Sequence, residues 1–124
     1  MNAIASYKTR RLETASPHQI VVMLFQELQR RIELGARKLD DGKKGEAAPH
    51  FHHAREILAE LLASLDPVPG SEELVKNLSG LYRWSVSELI AAGRDTDPAR
   101  ARAVSRAIQP VLEGFTELLV RSVP

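Results

Sequence analysis

The 124-residue chain contains no cysteine, so neither a disulfide framework nor thiolate chemistry is open to it. Aromatic residues are few: three Phe, two Tyr and one Trp. No run of about 18 apolar residues occurs, which argues against a membrane-spanning helix and membrane insertion. The N-terminus lacks the apolar core of a secretory signal, and a cytoplasmic location is the expectation. Neither sign of charge is in excess, with 17 Lys and Arg against 16 Asp and Glu and a net charge of +1. That balance argues against a dedicated nucleic-acid binder. Residues 1–44 carry nine basic and five acidic side chains, residues 45–124 eight and eleven, a tilt that reads as solvated surface. Glycine-rich phosphate loops, a Gly-x-Ser-x-Gly elbow and a His-Glu-x-x-His motif are all missing. The expectation is a protein that is no enzyme and carries no cofactor.

What the chain does contain is Leu, Ala, Arg and Glu, a composition that favours helix. With 44% hydrophobic and 27% charged residues, residues 1–124 read as one globular domain. Ser16-Pro17-His18-Gln19 reads as a helix start: a Ser cap, Pro at the first position and Gln three residues on. Ile20, Leu24, Leu28, Ile32 and Leu39 then recur at helical spacing up to "DDGKKGE". A second helix is expected over about 48–65, on Phe51, Ala54, Leu58, Leu61 and Leu65, because Pro49 fits only a first turn. "DPVPG" ends it. A third, over about 72–92, is capped by Ser71, striped by Leu74, Leu78, Leu81, Ser85, Leu89 and Ala92, and stopped by Gly93. A fourth, over about 98–121, starts at Asp97-Pro98 and places Ala101, Val104, Ile108, Val111, Phe115 and Leu118 on one stripe, with a kink expected at Pro110. The fold class is all-α, an antiparallel up-down-up-down four-helix bundle with an N-terminal cap segment at 1–13.

Each bundle helix needs one apolar arc of little more than 100°. Val22 and Met23 lie off the arc of helix 1, and Trp84 lies roughly 60° beyond the edge of that of helix 3, beside Asn77 and Leu81. From the pattern alone these residues read as a groove for another helix, an irregular bundle or a dimerisation face, in a monomer or weak dimer. Two other clusters are weaker. Of His50, His52 and His53 only the first and last share a helix face, and Glu56 is the one carboxylate near a matching i+4 position; the cluster reads as a solvated helix start, so no metal is expected. Arg100, Arg102 and Arg106 read as a solvated face in preference to a phosphate contact. An alternative function on these terms is a helical homo-oligomeric or regulatory protein using its spare apolar face.

Five stretches, among them "TASPHQIVVMLF", "HHAREILAELLASLD" and "SEELVKNLSGLYRW", resemble the flagellar secretion chaperones, the FliS family. "TASPHQIVVMLF" (14–25) resembles the opening of that family's first helix and "HHAREILAELLASLD" (52–66) its second. "SEELVKNLSGLYRW" (71–84) resembles its third, and "ELIAAGRDTDP" (88–98) its last helix junction. Ile4-x-x-Tyr7 matches the lead-in. The resemblance implies a non-enzymatic helical chaperone of the bacterial cytosol. Such a chaperone binds the C-terminal helical segment of flagellin, prevents premature polymerisation and delivers it to the flagellar type III export gate. It implies that Ile4 and Tyr7 lie over the groove until flagellin displaces them. The family's groove motif falls on Asn77, Leu78, Leu81 and Tyr82. Two departures are Phe115, where the family commonly carries Trp, and Pro110.

Overall fold

The structure, a computed structural model, describes residues 16–66 and 69–121, with residues 119–121 as backbone only. Ile4 and Tyr7 lie outside the described residues. Four helices are present: α1 (Pro17–Asp40), α2 (Lys44–Ala63), α3 (Glu72–Arg94) and α4 (Pro98–Arg121). No strand occurs among the described residues. Each helix packs on its neighbours in sequence, and α4 returns against α1. Short connections make those neighbours antiparallel, and the result is an all-α four-helix bundle.

The helix ends follow local chemistry. At α1 the Gln19 N–H donates to Ser16 Oγ (3.1 Å) and the Ser16 N–H to Gln19 Oε1 (2.7 Å), a complete capping box. The α1 exit turns on Gly42, whose φ of 71° lets the Lys43 N–H reach back to the Lys38 carbonyl (2.8 Å). At α4, Asp97 Oδ1 accepts from the Arg100 N–H (3.1 Å) and Pro98 occupies the first position.

At three helix ends the structure departs from the sequence-based expectation. α2 starts at Lys44, because the Lys43 carbonyl already accepts from the Glu46 and Ala47 N–H groups (3.0 Å each). Pro49 then sits inside the helix, where its missing N–H leaves one bond to Gly45 unmade. Both residues are exposed, so water serves that carbonyl. Ser71 makes no side-chain cap on α3; Glu72 Oε2 instead accepts from the Gly70 N–H (3.0 Å). Finally, α3 runs past Gly93 to Arg94, and its left-handed exit falls on Thr96 (φ 52°), with the Asp97 N–H donating to the Ala92 carbonyl (2.9 Å). α4 continues through Pro110 as one helix.

The core is built where the four apolar stripes meet. Phe25, Leu28, Ile32, Phe51, Leu58, Leu89, Val104 and Ile108 lie at its centre. Phe51 reaches from α2 between α1 and α3: a Cβ on Gly35 would stand 2.7 Å from its ring, and one on Gly93 3.6 Å away. Gly35 is therefore what lets α1 and α2 approach closely. At one end, Phe25 packs on Tyr82 (centroids 6.2 Å) and stacks on Phe115 (5.6 Å). The His18 Nε2–H donates to the Phe115 carbonyl (2.8 Å), tying the start of α1 to the end of α4.

Candidate functional site

All four seams between adjacent helices carry polar cross-links. Between α1 and α4, Gln29 Nε2 donates to the Ser105 carbonyl (2.9 Å), and Ser105 Oγ donates to Gln29 Oε1 (2.7 Å). Arg102 spans the same seam to Asp40 (2.7 Å) and Glu33 (3.4 Å). Its guanidinium, the largest influence on both, holds their carboxyls below the usual range. Between α1 and α2, Arg31 donates to His50 Nδ1 (3.1 Å) and Lys38 pairs with Glu46 (3.2 Å). Burial first, and the Arg31 charge second, hold the His50 imidazole below its ordinary pKa. Between α2 and α3, Lys44 Nζ donates to the Arg94 carbonyl (2.8 Å).

The α3–α4 seam differs in the apolar side chains it leaves exposed. A short ion pair, Arg100 to Glu88 (2.6 Å), closes one end. Asn77, Leu81, Trp84 and Glu88 fall on one stripe of α3, four, three and four residues apart, and Glu88 anchors that stripe beside α4. Because the helices run antiparallel, seven residues back from Glu88 reaches the level that Ala107 occupies on α4. Farther along, Ala107, Val111, Gly114 and Leu118 form the α4 stripe that faces the same side. This stripe is low in its middle, since a Cβ added at Gly114 would meet nothing within 4 Å. The walls are apolar and open to water: Trp84 is 41% exposed, Leu74 59% and Leu118 53%, with Leu81 and Val111 half-buried. The result is a shallow apolar trough along the bundle, a face of the kind an amphipathic helix covers.

Trp84, Leu81 and the exposed Asn77 lie together on this trough. Leu78 and Tyr82 face the core; burial pushes the Tyr82 hydroxyl pKa up to about 12. Val22 and Met23 are on α1, diagonally across the bundle, where Val22 is 5% exposed and Met23 half-buried. They do not share a surface with Trp84. Leu74 and Leu118, assigned to core stripes by periodicity, are instead exposed at the far end of the trough. Periodicity finds their direction around the helix axis and carries no signal about whether a neighbour covers them there.

The other clusters stay apart. His50 faces Arg31, His52 pairs with Glu56 (3.3 Å), and no group of metal-holding side chains occurs among the described residues. Arg100 and Arg102 are committed to carboxylates on Glu88, Glu33 and Asp40. No helix among the described residues is long and apolar enough to cross a membrane.

Comparison with known proteins agrees with this architecture. The family described as Flagellar protein FliS matches residues 1–122. The flagellar secretion chaperone FliS of Vibrio cholerae is 26% identical over 107 residues, which cover 86% of this chain and 78% of that protein. A match in one frame along nearly the whole of a four-helix chain leaves one conclusion: the chain belongs to the flagellar protein FliS family.

Proposed function

We propose that the protein is a flagellar secretion chaperone that holds the C-terminal helical segment of flagellin in the α3–α4 trough and delivers it to the flagellar export gate. The observation that carries this reading is the trough itself, an apolar face beyond the Arg100–Glu88 ion pair on which Trp84, Leu74 and Leu118 stay exposed. Membership of the family supports the client's identity. A segment that is disordered before assembly and helical after it exposes an apolar face in transit, and the trough buries that face. The gain is about 25 cal/mol per Å² of apolar area, from which the cost of ordering the segment is subtracted. The balance leaves a complex that holds its client yet releases it at the gate. This is binding work in the cytosol and involves no catalysis.

Titrating the protein with a peptide of the flagellin C-terminus is expected to give a one-to-one complex with a gain in helical circular dichroism. No binding at several hundred micromolar peptide removes the proposal.

A further inference from the structure

A second concave feature lies between α2 and α3, on a different side of α3 from the trough. Phe51 and Leu89 form its floor, and Ala48 and Ile90 its walls. Its volume is about 320 Å³, enough for one bulky apolar side chain. Ile90 is 48% exposed, more than its place beside the core requires. The rim is cationic: Lys44 and Arg94 stand at one end and Arg55 at the other. Arg83, seven residues before Ile90, lies on the same α3 stripe. Asp95 pairs with Arg94 (2.9 Å), whereas Lys44, Arg55 and Arg83 have no ion pair among the described residues. Lys44 donates to a neutral carbonyl, and the nearby Asp95 carboxylate offsets only part of its charge.

We infer that this pocket is a docking site for an acidic protein segment, one that inserts a bulky apolar side chain between Phe51 and Ile90 and sets Asp or Glu residues against Lys44, Arg55 and Arg83. Charge complementarity selects that occupant. The cations are spread over eleven helical steps from Lys44 to Arg55, about 17 Å of helix, which suits several carboxylates along a peptide better than one small anion. The chain's own N-terminal stretch, with Lys8, Arg10 and Arg11, has the wrong sign to fill it. The site lies off the α3–α4 trough, so the segment it takes is additional to the client helix.

The test uses the full chain and a dye-labelled, end-blocked peptide, Asp-Glu-Leu-Phe-Asp-Glu. Two controls replace its acids with Lys or its Leu-Phe with Ala-Ala. The acidic apolar peptide is expected to bind and to shift the amide resonances of Ala48, Ile90 and Gly93. Either control, and either surface variant Arg55→Glu or Ile90→Glu, is expected to weaken binding about tenfold. Circular dichroism confirms that each variant is folded, and the flagellin peptide is expected to bind both variants as it binds the parent. A dissociation constant above about 1 mM overturns the inference. So do equal binding of the Ala-Ala control, shifts confined to α4, and concentration-dependent dimers that the peptide disperses, which assign the pocket to a second copy. If Arg55→Glu abolishes flagellin binding as well, the two sites are not separate and the inference falls while the client reading stands.

Discussion

Truncating Trp84 tests the trough at its centre. Trp84 is 41% exposed. A Trp side chain buries up to about 250 Å², so about 100 Å² remains for a partner to cover. At about 25 cal/mol per Å² that area contributes about 2.5 kcal/mol, or roughly 70-fold in affinity. Trp84→Ala is therefore expected to weaken flagellin-peptide binding by roughly 30- to 100-fold, in the range of an interface hot spot. Trp84→Phe retains most of the area and most of the affinity. The same residue supplies the assay, because it is the only Trp in the chain. With a tryptophan-free peptide, saturation shifts its emission to the blue as water leaves the indole, and isothermal titration gives the affinity of each variant. Circular dichroism of the free variants separates lost binding from lost folding. An unshifted emission at saturation, or a change in affinity under threefold for Trp84→Ala, would refute the docking geometry.

Gly35→Ala is expected to destabilise the bundle, since the new Cβ falls 2.7 Å from a ring that Gly93 backs on its other side. Overpacking costs about 1–3 kcal/mol and the helix preference of Ala returns about 1, a net loss that thermal unfolding reads and that Phe51→Leu partly rescues. Thr96→Gly is expected to stabilise by about 1 kcal/mol, because a β-branched residue there holds φ at 52°; an unchanged melting temperature contradicts this. Deleting residues 1–12 is expected to tighten flagellin binding, by the competition that the family resemblance implies for Ile4 and Tyr7, and unchanged affinity removes that role.

Much of the bundle was legible in the sequence because its signals are local. Ser16, Pro17 and Gln19 specify the start of α1 through bonds made within four residues, and Asp97-Pro98 does the same for α4. Where a local signal misled, a competing backbone bond had won. Ser71 yields to Glu72 at the α3 entry, and the exit of α3 falls on Thr96 although Gly93 is the better turn former. Pro49 marks a helix start by its local chemistry, yet one missing hydrogen bond on an exposed helix face does not stop α2 from beginning at Lys44.

The candidate site was legible only in part. Trp84 stands off its helix arc in any wheel, so its exposure follows from sequence. Leu78 and Tyr82 neighbour it in the same motif but point inward, and Val22 and Met23 stand off an arc on the wrong helix to join it. Leu74 and Leu118 sit on core-facing arcs and are open all the same. The sequence by itself determined four amphipathic helices, their order and the residues able to form a core, because periodicity and capping act within a turn or two of the chain. Only the tertiary structure decided which seam kept apolar side chains exposed, because that depends on which residues of other helices stand at the same height. Ser105 and Arg102 fill that place along α1, whereas along α3, past the Arg100–Glu88 pair, the facing stripe is Ala107, Val111 and Gly114.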